Sequence, residues 1–433
     1  MRIALFTDTC LPTLNGVARA LGLLIEHAAT AGHEVALVSP QVSAEPHPGT
    51  SLHLQLPSIT VPFYRELQAA RPWLAGPERR ALQDFDPELV HVATEAFVGS
   101  AGHRWARAQG VPLVTSYCTN FPDYLSSYGL GWAEGWCWRH LRDFHDQARI
   151  TFCPSDATLK DLQLRGFHRR MRLWSRGVDA QLFKPERRSE RLRHEIAPGA
   201  DLVLMYVGRI APEKRVDLLL DSFPRIRARA AGMGRRVALV LVGDGPALDP
   251  LKKQAGPDVH FTGYQRGEDL ARHYASADLF VFPSDTETFG QVVTEALASG
   301  VPVVAPARGG VMDTVIPDET GRLFEPGDAN DLIEQVLVLI GDDLLRRRLG
   351  QQARSAAERR SWAAIFAQLF DDYAAAGAAG DGRADMTAGD PDEGRDEGLA
   401  EGPDEGPAEG LAPAEVSTRG SSGASRGARD PES

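Results

Sequence analysis

A chain of 433 residues is too long for one compact core, so two domains are expected. With 43% hydrophobic and 24% charged residues it sits among ordinary soluble globular proteins. No apolar run approaches the roughly 18 residues of a spanning helix, and the least charged stretch, 46–64, is broken by four prolines, so no membrane span is expected. Met1 to Asp8 meets an acidic residue too early for a secretory leader, which predicts a protein that stays in the cytoplasm. Four scattered cysteines, Cys10, Cys118, Cys137 and Cys153, form no C-x-x-C pair, so reduced thiols are expected rather than disulfides or a structural zinc. The formal net charge of −12 resides mostly in residues 377–433, which hold 14 acidic and 5 basic residues; the remainder is near neutral and offers nucleic acid no electrostatic footprint.

Short β-branched runs alternate with amphipathic stretches through the first 376 residues, the pattern of parallel sheets flanked by helices. Ile3 to Thr7 reads as the first strand. Asn15 and Gly16 lead into a helix from Val17 to Ala31, with Val17, Leu21, Leu24 and Ala28 at helical spacing and Gly32 as its stop. Strands follow at 35–39, 89–92 and 111–116. The alternation restarts at Leu202 to Val207 and continues at 237–242, 260–262, 279–282 and 302–305. The predicted fold class is therefore α/β, with two doubly wound Rossmann-like domains. Between them, residues 177–200 are charged and punctuated by Pro185 and Pro198, as a linker with local helix would be. A last helix, Trp362 to Ala376, stands outside both alternations. Residues 377–433 lack aromatic residues and nearly lack aliphatic ones, so a disordered acidic tail is expected.

In open parallel sheets ligands bind beyond the carboxyl ends of the strands, which directs attention to three loops. Thr7 to Gly16 leaves a strand and enters a helix at a glycine, an arrangement suited to an anion. Val207-Gly208-Arg209-Ile210-Ala211-Pro212-Glu213-Lys214 presents a planar fork of donors and a compact charge from one loop, which fits a diphosphate. Phe282 to Gln291 passes from strand to helix. There Glu287 precedes the helix and Glu295 rides its second turn, so two carboxylates can accept hydroxyl groups of one ligand, while Phe289 and Gly290 offer backbone N–H groups.

Gly208 to Lys214, Gly243-Asp244-Gly245-Pro246 and Pro283 to Ala305 resemble retaining glycosyltransferases of family 4, whose architecture is GT-B, two Rossmann-like domains facing across a cleft. Glu287 and Glu295, with seven residues between them, match that family's paired-glutamate motif. Phe6-Thr7-Asp8, Asn15-Gly16-Val17, His91 to Glu95 and Tyr117 to Tyr128 look most like the branch with GDP-mannose-dependent α-mannosyltransferases and sulfoquinovosyldiacylglycerol synthases. The resemblance implies an acceptor-side domain over 1–176, a nucleotide-sugar domain over 177–360, a terminal helix over 361–376 packing back on the first domain, and the tail over 377–433. It assigns Arg209 and Lys214 to the donor diphosphate, Glu287 to the sugar hydroxyls and Glu295 to the ribose. Gly16, Gly208, Gly243, Gly245, Tyr264, Phe289 and Gly290 complete the donor pocket, with Gly309 and Gly310 as weaker candidates. Asn15, Glu95, Tyr117, Cys118, Asn120 and Asp123 are candidates for the sugar or acceptor. Cys118 stands where the family usually has histidine, so either that contact is dispensable, or a neighbour such as Asn120 or Asp123 substitutes, or the sugar preference shifts.

The implied function is transfer of a mannose- or glucose-type hexose from a nucleotide-sugar to a lipid or small-molecule acceptor, forming an α-glycosidic bond with retention. Front-face attack assisted by the leaving phosphate needs no side-chain nucleophile. No cofactor and no metal are expected, because two cations already face the diphosphate. Asp84-Phe85-Asp86 formally matches a metal-binding D-x-D but reads as a polar turn. The alternatives are a sugar-nucleotide epimerase or hydrolase on the same fold, or a catalytically silent nucleotide-binding protein. Trp132, Trp136 and Trp138 read as core packing, with an acceptor platform as the alternative. Residues 59–85 read as a partly ordered surface helix, or one lying on an anionic membrane; Arg165, Arg169, Arg170, Arg172 and Arg176 form a basic run facing lipid phosphates or solvent. Peripheral contact with the inner membrane face is the expected location of a lipid-dependent reaction.

Overall fold

The computed structural model describes residues 1–378 apart from Leu14, Ala44, residues 62–67, Tyr128 and residues 168–169. The expectations for the tail from residue 379 onward, for Phe63 to Leu67 and for Arg169 lie outside the described residues. The first sheet has seven strands: β1 Arg2–Phe6, β2 Glu34–Pro40, β3 Leu52–Leu56, β4 Leu89–Val92, β5 Leu113–Ser116, β6 Ile150–Cys153 and β7 Met171–Leu173. They are all parallel, in spatial order β3-β2-β1-β4-β5-β6-β7. The second sheet has six: β8 Leu202–Val207, β9 Val237–Val242, β10 Val259–Gly263, β11 Leu279–Val281, β12 Val303–Pro306 and β13 Gly321–Phe324, in order β10-β9-β8-β11-β12-β13.

Both orders reverse direction beside the first strand of their sheet, at β1/β4 and at β8/β11. Every residue of β8 and β9 is buried, as it must be in strands covered by helices on both faces. Phe6 lies opposite Val92, and Val207 opposite Val242, so neighbouring strands release their loops at one edge of each sheet. Those edges are where the chemistry-bearing loops emerge.

Five helices bear on the site: α1 Gly16–Thr30, α2 Phe97–Gln109, α3 Glu134–His145, α4 Gln291–Ala298 and α5 Trp362–Ala378. The Asn15 side chain caps α1 by accepting from the Ala18 amide at 2.8 Å. Asp8, from the loop after β1, does the same for α2, accepting from the Val98 amide at 2.6 Å and from the Thr94 hydroxyl at 2.7 Å. Burial pushes the Asp8 carboxyl up to about 6, against the pull of those donors.

Helix α5 returns to the first sheet. Phe366, Leu369, Phe370 and Tyr373 are buried with Ile3, Leu5, Leu24 and Leu89. The Tyr373 hydroxyl meets His91 Nδ1 at 2.6 Å, and His91 Nε2 meets the Ser116 hydroxyl at 2.6 Å, so the helix is fixed by polar as well as apolar contacts. The segment read as a linker packs on the second domain, whose core holds Val178, Phe183 and Ile196.

Two sequence expectations are corrected here. Among the described residues of 59–85 the helix is confined to Gly76–Phe85, started by Pro77 at its first turn, while Ser58–Thr60 pairs antiparallel with Gln68–Ala70. Trp132 and Trp136 are 85% and 64% exposed rather than core. Helix α3 buries Leu141, Phe144 and His145, while Trp136 and His140, four residues apart, stack on each other at its exposed side. Only Trp138 packs, beside Tyr117 and under the Arg165 guanidinium at 3.9 Å. Phe366→Ala should lower unfolding free energy by about 3–5 kcal/mol in a denaturant titration; an unchanged midpoint would detach α5 from the first domain.

Candidate functional site

The loops leaving both sheets face one hollow. Arg209, Lys214, Glu287 and Glu295 all line it, together with Gly16, Gly208, Gly243, Gly245, Tyr264, Phe289 and Gly290. The cationic loop after β8 is braced from beneath. The Tyr206 hydroxyl donates to the Arg209 carbonyl at 2.8 Å, and the Ile210 amide to the Asp244 carbonyl at 2.9 Å. Gly243 is where the loops after β8 and β9 touch: its φ is +145°, and a Cβ there would stand 1.9 Å from the Gly208 carbonyl oxygen. Only glycine permits that approach.

Charges of opposite sign then meet. Arg209 Nη1 lies 3.3 Å from Glu213 Oε1, and Lys214 Nζ forms an ion pair with Glu287. The Ser284 and Thr286 hydroxyls donate to the Glu213 carbonyl at 3.4 and 3.3 Å, which ties the acidic loop to the cationic one. Gly290, with φ +82°, turns the chain into α4 without a side-chain cap, leaving first-turn amides for an anion in the hollow. Glu295 is 2% exposed, accepts from the Tyr274 hydroxyl at 3.1 Å and pairs with Arg19 of the first domain. Burial raises its carboxyl above the ordinary range, while Arg19 and Tyr274 oppose that shift.

Asn15 and Cys118 line the first-domain wall. Burial pushes the Cys118 thiol up to about 11, with Arg176 pulling the other way, so the sulfur is protonated at neutral pH. Glu95, Tyr117, Asn120 and Asp123 fall outside the lining. They brace the wall instead: Tyr117 donates to Asn120 at 2.8 Å, Asn120 to Asp123 at 2.7 Å, and the buried Glu95 meets His145 at 3.3 Å. Gly309 and Gly310 sit behind the acidic loop, where a Cβ would strike the Glu287 and Thr288 carbonyls at 2.5 and 2.1 Å. Asp86 pairs with Arg2 at 2.8 Å, outside the cleft lining.

The basic run is not one face. Arg165 pairs with Asp161 at 2.8 Å, Arg172 approaches Asp372 at 3.8 Å, and Arg176 is buried in the cleft wall. Sequence reasoning missed Arg19, Glu213, Tyr274 and the position of Arg176. Arg19 alone left a signal, since it follows Gly16 by one helical turn and must share that end of α1. Arg19→Ala should raise the pKa of Glu295 further, because it removes the cation that stabilises the carboxylate. Carboxyl ¹³C titration, assigned with Glu295→Gln, should move to higher pH; an unmoved titration would deny the pairing.

Comparison with known proteins follows the same division of the chain. The family description "Glycosyltransferase Family 4" matches residues 14–182, and "Glycosyl transferases group 1" matches residues 188–356. A "GDP-mannose-dependent alpha-mannosyltransferase" of Mycobacterium tuberculosis is 37% identical over 382 residues, covering 87% of this chain and 97% of that protein. The "Sulfoquinovosyl transferase SQD2" of Arabidopsis thaliana is 35% identical over 304 residues, covering 67% of this chain and 58% of that protein. Among solved structures, sucrose-phosphate synthase from Thermosynechococcus elongatus has a TM-score of 0.70 at 22% identity, covering 87% of this chain and 98% of that one. Anabaena HepE in complex with UDP and glucose has a TM-score of 0.66 at 19% identity, covering 86% and 99%. These likenesses share the fold of two parallel sheets described above. The chain belongs to glycosyltransferase family 4 and is a hexosyltransferase of GT-B architecture.

Proposed function

We propose that this enzyme transfers a mannosyl residue from GDP-mannose to a lipid or small-molecule acceptor, forming an α-glycosidic bond with retention of configuration. The observation that carries the reading is the convergence of Arg209, Lys214, Glu287 and Glu295 on one hollow. The name borne by the 37% identical mycobacterial relative supports the donor. In this reading Arg209 and Lys214 hold the diphosphate and stabilise its charge as the glycosidic bond to phosphate breaks. Glu287 takes sugar hydroxyls and Glu295 the ribose. Gly16 leaves the first domain's side open, since a Cβ there would meet nothing within 4 Å. Tyr264, half exposed at the edge of the hollow, lies beside the nucleoside.

The cleft's own ion pairs prepare this exchange. Lys214 is held by Glu287 until a diphosphate offers it a second partner, and Glu295 by Arg19 until ribose hydroxyls arrive. A protonated Cys118 is no nucleophile, which agrees with front-face attack in which the departing phosphate oxygen takes the acceptor proton. Two cations on the diphosphate leave no step for which a metal ion is invoked. No described helix is long and apolar enough to cross a membrane. A lipid acceptor is supported by Trp132 and Trp136, exposed beside Arg139 on the first domain, since such side chains suit the headgroup region of the cytoplasmic leaflet.

In a thermal-shift comparison of GDP, UDP and ADP, GDP should stabilise most, adding about 2.7 kcal/mol at 100 times its Kd; a larger shift with UDP or ADP would replace the donor base. Lys214→Ala should cut mannosyl transfer from labelled GDP-mannose by about 10²- to 10³-fold with the melting temperature little changed. Near-normal transfer by that variant would contradict its role.

A further inference from the structure

The turn Gly309–Asp313 of the second domain meets the first domain at both of its ends. Just before it, Arg308 lies 3.6 Å from Asp123, which Asn120 and Tyr117 hold in the first-domain wall. At its end, the Asp313 carboxylate accepts from the Asp156 and Ala157 amides, the second at 3.4 Å, where the helix Asp156–Leu164 begins. The next amide, that of Thr158, goes to the Ser155 hydroxyl at 3.1 Å, so this helix takes one cap from its own domain and one from the other. A carboxylate suits the position, because the helix dipole and the unpaired amides both favour negative charge. Arg360, between the last two helices, donates to the Asp313 carbonyl and fixes the backbone behind the cap.

The same turn carries the acidic loop. The Gly310 amide donates to the Glu287 carbonyl at 2.8 Å, and the Thr288 carbonyl accepts from the Ser155 and Thr158 hydroxyls of the capped helix. Glu287 therefore stands on backbone that is seated on the first domain. The cationic loop after β8 is braced differently, by Tyr206 and Asp244 of its own domain. Separating the domains strips the Asp156 and Ala157 amides of their partner and releases the Glu287 loop, while the backbone of Arg209 keeps its supports. Asp313 itself is outside the cleft lining. We propose that Asp313 is a positioning residue that couples recognition of the donor's sugar to docking of the two domains, holding Glu287 in place for the sugar hydroxyls through its cap on the first-domain helix.

This deepens the donor reading above and rests on it. Coupling is reciprocal: if the seated turn tightens sugar binding, the sugar favours the seated turn by the same factor. The test uses the full chain with the nucleoside diphosphate that gives the largest thermal shift among GDP, UDP and ADP, and with its hexose ester, GDP-mannose, UDP-glucose or ADP-glucose. By calorimetry, Asp313→Ala should raise Kd for the ester about 10-fold and Kd for the diphosphate less than about 2-fold. Asp313→Asn keeps an acceptor oxygen and should retain part of the ester affinity. In wild type the ester should slow amide exchange over 155–164 more than the diphosphate does, and in Asp313→Ala the two should act alike. An equal loss of affinity for both ligands, an unchanged ester affinity, or no extra protection by the ester in wild type would overturn the coupling. Should Asp313→Ala fail to fold, wild-type exchange and Asp313→Asn decide. Diphosphate binding without any ester-specific effect removes the coupling and leaves the donor reading; no binding of any nucleotide removes both.

Discussion

The ion pair between Lys214 and Glu287, 73 residues apart in the chain, depends on two strand-to-helix loops meeting at the switch point of the second sheet. Charges placed in a partly dehydrated hollow must be compensated. In this structure they compensate one another: Lys214 with Glu287, Arg209 with Glu213, Arg19 with Glu295. In the function proposed above, the diphosphate would offer the cations negative charge, while the sugar and ribose hydroxyls would offer the carboxylates donors. The buried apolar strands beneath, and the glycine contact between residues 208 and 243, keep the loops close enough for this to hold.

Polar groups join the two domains across the cleft. The Ser155 and Thr158 hydroxyls donate to the Thr288 carbonyl at 2.7 and 3.0 Å, and the Thr288 hydroxyl to the Cys118 carbonyl at 2.9 Å. Hydrogen bonds of this kind exchange readily for water, unlike a shared apolar core, so hinge motion between the domains is the physical expectation. Helix α5 and the strand-to-linker crossing at Gly177 and Trp362, where a Cβ on Gly177 would lie 2.7 Å from the Trp362 backbone nitrogen, form the covalent side of that hinge.

Much of the fold is written in local pattern. Strands 89–92, 202–207 and 237–242 lie where their apolar runs predict them, because strands covered on both faces tolerate few polar residues. Arg209, Lys214, Glu287 and Glu295 could be placed at one edge from topology alone, since parallel strands send all such loops the same way. Phase and burial were less legible. Trp132 stands in the turn before α3 and Trp136 in its first turn, where packing and not residue type decides exposure, and the antiparallel pair at 58–70 is a local hairpin whose strands are only three residues long. Glu95 and Tyr117 lie at strand ends near the cleft but on the far side of its wall, a distinction only packing makes. Arg19 and Arg176 look like surface cations in sequence; the structure instead pairs Arg19 with Glu295 and buries Arg176 against Trp174.

The most direct measurement is a crystal structure of the chain bound to GDP. It should show the diphosphate between Arg209, Lys214 and the first-turn amides of α4, the ribose hydroxyls on Glu295, and the Lys214–Glu287 contact opened or shared. A nucleotide seated elsewhere, with the Lys214–Glu287 and Arg19–Glu295 ion pairs intact, would contradict the convergence on which every other inference depends.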